Sequence, residues 1–249
     1  SHEGLIIGRS PSLSGFFIWF IQQEERMHIP DGYLGPHTYG ALYAVMSPIW
    51  YIASRRIGKT LKTQQIPLLA VGAAFSFVAM MFNVPIPGGT TGHAVGSVIV
   101  AILLGPWAAV ITTTVVLVVQ ALLFGDGGIT SIGASSFNMA FAMSFTGYGV
   151  YKLISIGSEP SSYRRWLGGA AGGYLGINIA GVLTGIELGI QPLIAHTPDG
   201  RPLYAPYPLE IAIPAMVIPH ITVFGVLEGI VTALVIVYFQ RTEPTMLDR

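Results

Sequence analysis

Met27-His28-Ile29-Pro30-Asp31-Gly32-Tyr33-Leu34 is a short, polar-headed stretch placed directly ahead of an almost wholly apolar chain. With Met27 as first residue, three nitrogens come within chelating reach of one ion: a free α-amine, the backbone nitrogen of His28 and the His28 imidazole. Pro30 fixes its own φ and keeps Ile29 out of the helical region, so the segment is expected to be extended. Asp31-Gly32 reads as a turn or a helix start, with Asp31 either capping the first helix or bonding a ligand. Nitrogen donors in a plane favour Ni(II) or Cu(II), whereas tetrahedral sulfur sites favour zinc. The competing reading of so short a motif is a surface turn before the first helix.

Outward from this stretch, composition decides the class. Of 249 residues, 52% are hydrophobic and only 10% charged, and the mean hydropathy is +0.63. Soluble domains carry about 25% charged residues, so the expected fold is an all-α integral membrane protein. The formal net charge of zero offers nothing to attract nucleic acid. With no cysteine in the chain, disulfides, zinc–thiolate sites and cysteine nucleophiles are excluded.

Apolar runs place about seven transmembrane helices, at residues 37–54, 66–82, 94–104, 106–124, 134–154, 166–190 and 209–239. Together they make residues 27–240 a single polytopic membrane domain, followed by a short cytoplasmic tail at 241–249. The third run reaches about half of the hydrocarbon thickness, so it is a short segment or the glycine-rich loop before it dips into the membrane. Pro214 and Pro219 are expected to kink or break the last run. Residues 1–26 fit poorly: their apolar part is too short to span, and no small-residue cleavage site precedes Met27. Gln-Glu-Glu-Arg ahead of Met27 is what a purine-rich ribosome-binding site would encode, so 1–26 is expected to be translated upstream sequence outside the core. The rival is an amphipathic extension lying on the membrane.

Seven crossings put the two ends on opposite sides. Arg55, Arg56, Lys59, Lys62, Lys152, Arg164, Arg165, Arg241 and Arg249 then share one side, with Arg201 on the other. The positive-inside rule places Met27 outside and the C-terminus in the cytoplasm of a bacterial or archaeal cell. The Met-His segment and the two longest glycine-rich turns all land outside together.

Few polar residues are candidates for chemistry. His93 follows a glycine-rich turn and is expected to open a helix, as an interfacial residue or as a further nitrogen ligand. Glu228 lies two helical turns after His220 on one face, and such groups inside a membrane are usually paired or functional. They are read as partners of the ligating histidines, or as a pair that locks helices together. Ser136 and Asn138 are candidates for the same outer layer or for helix–helix hydrogen bonding. Asp126 reads as a turn residue, Glu187 and Glu210 as interfacial, and His37 and His196 as surface residues. Gly125-Asp126-Gly127-Gly128 lacks the lysine and Ser/Thr of a phosphate loop, and neither HExxH nor GxSxG occurs, so no catalytic apparatus is visible.

The Met27–Leu34 stretch, Pro87-Gly88-Gly89-Thr90-Thr91-Gly92-His93, Gly125-Asp126-Gly127-Gly128-Ile129-Thr130 with Asn138, and His220 with Glu228-Gly229 occur in this order. In these motifs the chain resembles the NikM/CbiM family, the substrate-binding S components of energy-coupling-factor (ECF) transporters for nickel and cobalt. The resemblance implies that Met27, His28 and His93 hold Ni2+ or Co2+ as substrate, with no organic cofactor. Asp31, Ser136, Asn138, His220 and Glu228 are placed around them. Implied partners are a transmembrane coupling T component, two cytoplasmic ABC-type ATPases, a small auxiliary membrane subunit and membrane lipid. Nickel ranks first because the implied nitrogens are planar. Two other classes fit the sequence less well. A self-sufficient ion-coupled carrier predicts internal repeats, which the sequence does not show, and an intramembrane metalloenzyme needs an open metal position and a general base.

Overall fold

The computed structural model describes residues 28–60, 66–86 and 90–247. Met27, the 1–26 segment and Pro87-Gly88-Gly89 lie outside the described residues. Helices dominate. Pro36–Thr60 forms α1, Ile66–Met81 α2, Ser97–Leu104 α3 and Pro106–Val119 α4. Ile132–Ser135 forms α5, Met143–Ser155 α6 and Tyr163–Gly189 α7, followed by Gln191–Ile194 (α8), Leu209–Pro219 (α9) and Gly225–Thr242 (α10).

Among the described residues, three helical runs are long and apolar enough to cross a membrane: Pro106–Phe124, Tyr163–Ile194 and Leu209–Thr242. Their outer surfaces suit lipid. Leu123 is 75% exposed and Leu234 64%, while Glu228 and Gln120 are fully buried. A soluble protein would have the reverse arrangement.

Helix α7 is the spine, and glycines make its packing close. Gly168, Gly172 and Gly176 lie against backbone carbonyls of α6 at Tyr151, Gly147 and Met143. Gly169 and Gly173 turn the other way, onto Ile236, Thr232 and the Glu228 carbonyl of α10. One glycine-rich helix therefore touches two neighbours at backbone distance, the role of small residues in membrane helices.

Among the described residues, three π turns interrupt the helices, at Gln120–Phe124, Ser136–Ala142 and His220–Phe224. Each begins on a buried polar residue: Gln120, Ser136 or His220. Such turns cluster at functional sites because they re-aim a side chain that a regular helix would point elsewhere. The last run stays helical through Pro214 and Pro219, and its interruption is the π turn that starts just after Pro219.

The third element corrects an expectation. Val84–Ile86 (β1) and Thr90–Gly92 (β2) pair antiparallel as a hairpin, with Pro85 opposite Thr91. The helix expected from residue 94 starts at Ser97, because Gly96 takes a left-handed φ of 74° and the Val95 and Gly96 amides are claimed by Glu228. His93 therefore sits in the connection between hairpin and helix.

Candidate metal centre

The N-terminal segment is pinned to the turn before α5. Asp31 accepts hydrogen bonds from the Ile129 and Thr130 amides (3.2 and 2.9 Å) and from the Thr130 hydroxyl. Next to it, the Ile29 carbonyl accepts the Gly128 amide at 2.9 Å and the Ser131 hydroxyl. Gly128 has to be glycine, since a Cβ there would collide with the Asp31 backbone and carboxylate. Asp31 is thus a staple between segments. Asp126 in the same turn is buried and lines a small cavity beside His28.

Between these clamps His28 adopts φ 62°, the one positive φ at a non-glycine among the described residues. That conformation costs an L-residue roughly 1–2 kcal/mol and persists only where surroundings impose it. It delivers a buried imidazole to the protein interior. His28 Nε2 lies 3.1 Å from Gln120 Oε1, and His28 Nδ1 lies 3.2 Å from His93 Nε2. The two rings are perpendicular, at 88° with centroids 4.8 Å apart. His93 Nδ1 in turn lies 3.1 Å from the Ala94 carbonyl oxygen.

The proton assignment follows from the partners. The Ala94 carbonyl can only accept, so His93 Nδ1 carries its hydrogen, and His28 Nε2 carries one while Gln120 presents its amide oxygen, as it does here. Burial pushes both imidazoles down, His28 to about 4 and His93 to about 3, and for His93 the neighbouring His28 adds to the effect. Both rings are therefore neutral at neutral pH. On that assignment His28 Nδ1 and His93 Nε2 face one another as acceptors across 3.2 Å. Two imidazole nitrogens at this distance are joined by a proton or by a cation between them. An ion at an ordinary imidazole–metal distance of about 2.0–2.1 Å would bond both nitrogens at an angle of about 100°.

A cavity of about 40 Å³ adjoins the pair, walled by His28, His93, His220, Thr91 and Thr184 together with apolar side chains. That is room enough for water or a partly hydrated ion. The His220 Nδ1 hydrogen goes to the Met216 carbonyl at 2.6 Å, which leaves its other nitrogen as an acceptor. Its ring rests against Gly181, where a Cβ would not fit. Among the described residues no group of three histidines or carboxylates is close enough to hold an ion without further donors.

The other expected residues divide. Glu228 reaches backbone rather than imidazole: its carboxylate takes the Val95 amide at 2.8 Å and the Gly96 amide at 2.9 Å. It thus holds the strand of chain that carries His93. Ser136 is buried in a π turn with its hydroxyl unpartnered among the described residues. Asn138 donates to Thr184 Oγ1 (3.1 Å) and to Glu187 (2.8 Å), a bridge between helices. Glu187, expected at the interface, is buried, because that bridge draws it inward. His37 and His196 are exposed. Gln120 was missed. Its signal in the sequence is a lone amide within the apolar run 106–124, the kind of polar group that a membrane helix retains for a reason.

A family model described as "Cobalt uptake substrate-specific transmembrane region", CbiM, matches residues 28–246. The chain belongs to the CbiM family. Among its relatives is the fused nickel transport protein NikMN of Rhodobacter capsulatus, 49% identical over 221 residues, covering 89% of this chain and 64% of that protein. The cobalt transport protein CbiM of Geobacter sulfurreducens is 33% identical over 227 residues, covering 90% of this chain and 62% of that protein. The chain therefore spans under two thirds of the length of these two relatives. A crystal structure described as a transition metal transporter is 50% identical, covers 89% of this chain and 97% of that one, and superposes with a TM-score of 0.82. These relatives are named as transport proteins rather than enzymes.

Proposed function

We propose that this membrane protein captures Ni(II) between His28 and His93 and passes it inward as the substrate-binding subunit of an ECF-type importer. The observation that carries this reading is the pair of buried imidazole nitrogens, His28 Nδ1 and His93 Nε2, facing each other at 3.2 Å. The α-amine of Met27 and the backbone nitrogen of His28 would complete four nitrogens, and a plane of nitrogens favours Ni(II). High affinity is expected from a site that is neutral, buried and already shaped. Loss of the His28 amide proton on binding would cancel part of the ion's charge.

The surrounding assembly follows from the same reading. Seven crossings place Met27 outside and the C-terminus in the cytoplasm of the cell membrane. A coupling T component, two ATPases and a small auxiliary subunit would supply the energy, since this chain has no nucleotide-binding motif. Co(II) is a second reading, favoured by the cobalt-uptake description of the matching family.

The test is bound metal, measured by inductively coupled plasma mass spectrometry on chains purified with and without residues 1–26. Stoichiometric nickel is expected only in the chain that starts at Met27, and cobalt in its place would select the second reading. Equal metal in both chains would remove the amine from the ligand set. No metal in either would end the capture model.

A further inference from the structure

We infer that Gln120 is a positioning residue that selects which His28 nitrogen meets the ion, an inference that rests on the His28–His93 gap being the metal site. Gln120 begins the π turn that follows α4 and is fully buried. Its amide oxygen stands 3.1 Å from His28 Nε2. A carbonyl oxygen has no hydrogen to give, so this contact is a bond only when Nε2 carries the proton and Nδ1 is bare. Nδ1 is the nitrogen that faces His93 Nε2. It is also the ring nitrogen that closes a six-membered chelate with the backbone nitrogen of its own residue. Nε2 points too far away to share an ion with that backbone. With its oxygen toward His28, Gln120 thus holds the ring in the one tautomer that can chelate.

The opposite end of the amide adds a second property. Gln120 Nε2 is buried and unpartnered among the described residues. Turned end for end, the amide would donate Nε2–H to His28 Nε2 and place the His28 proton on Nδ1, from where it donates to His93 Nε2. The gap would then be bridged by a proton instead of an ion. Glutamine supports both states: an open gap that receives metal, and a closed one that completes its release. Glutamate supports the open state, and methionine, of similar length, supports neither.

The experiment compares nickel affinity and release rate of the Met27-initiated chain with those of its Gln120→Met and Gln120→Glu variants. Nitrogen NMR of labelled histidine reads the His28 tautomer in each. Gln120→Met is expected to weaken nickel about 10- to 100-fold, the usual effect of losing a partner to a ligating histidine. Gln120→Glu is expected to restore affinity to wild type or better and to slow release, with His28 locked as Nε2–H. Unchanged affinity in Gln120→Met would overturn the inference, and so would a Gln120→Glu variant as impaired as Gln120→Met, since bulk rather than acceptance would then be what matters. Wild-type protein that binds no nickel defeats the metal reading itself. The His28 tautomer in metal-free Gln120→Glu then decides the inference alone: Nε2–H upholds it and Nδ1–H overturns it. If Gln120→Met fails to fold, the metal-free wild-type spectrum decides: a population of His28 as Nε2–H upholds the inference, and Nδ1–H alone overturns it.

Discussion

Glu228 and the His28–His93 pair are neighbours in the interior, yet their hydrogen bonding is opposite in kind. Both Glu228 oxygens are met by backbone amides at 2.8 and 2.9 Å, so acceptors face donors and the arrangement is complete. The two histidines meet nitrogen to nitrogen across 3.2 Å, and with Gln120 presenting its oxygen and Ala94 its carbonyl both facing nitrogens are acceptors. A buried polar group whose partners match belongs to the architecture. One held with like facing like is what the proposed metal site requires. Glu228 serves the second kind by being the first, since the amides it holds follow His93 by two and three residues.

That contrast can be broken by experiment, and the largest expected effect is at the histidines. His93→Ala should cost nickel binding more than about 100-fold, beyond what an outer partner contributes, with the fold intact by circular dichroism. Retained metal would mean that the facing lone pairs are not the site. Next is Glu228→Ala, which strands two buried amides and should lower unfolding stability by about 3 kcal/mol in detergent melts. Nickel should weaken about tenfold through the loosened His93 strand. A loss of metal as severe as that of His93→Ala with stability unchanged would move Glu228 into the site.

A smaller effect is expected from Asp31→Ala, which removes the bonds to Ile129 and Thr130. The loss should be about 1–2 kcal/mol, seen as faster proteolysis near His28 and faster nickel release. Release at the wild-type rate would show that the Ile29 carbonyl clamp is sufficient. The smallest is the control at the far end of α7. Arg165 donates to the Tyr151 hydroxyl (3.2 Å) and the Leu247 carbonyl (2.8 Å), about 28 Å along the helix from Thr184 at 1.5 Å per residue. Arg165→Ala should cost about 1 kcal/mol and leave nickel binding unchanged, whereas altered binding would link the C-terminal turn to the metal cavity.

Much of the helical frame was legible, because apolar runs bounded by proline, glycine and basic residues carry strong periodic and compositional signals. The 106–124 run emerged with the expected ends, opened by Pro106. His28 and His93 were legible as candidates because uncommon polar motifs flank an apolar chain. The hairpin was not: two three-residue strands, one containing Pro85, carry no pattern that separates them from a loop. Gln120 was overlooked because an apolar window averages away one amide, and Glu187 was placed at the interface because burial near a helix end depends on which helix lies opposite.

By itself, the sequence determined the class of environment and the inventory: an apolar chain without cysteine, with a handful of histidines, amides and carboxylates inside or beside its apolar runs. Those follow from composition, which needs no neighbours. Only tertiary structure decided the pairings. The positive φ of His28, the π turn that aims Gln120, and the engagement of Glu228 by amides instead of an imidazole all depend on segments far apart in the chain. Tautomer and lone-pair direction are set by whichever atom lies within hydrogen-bond reach, and that is a property of packing.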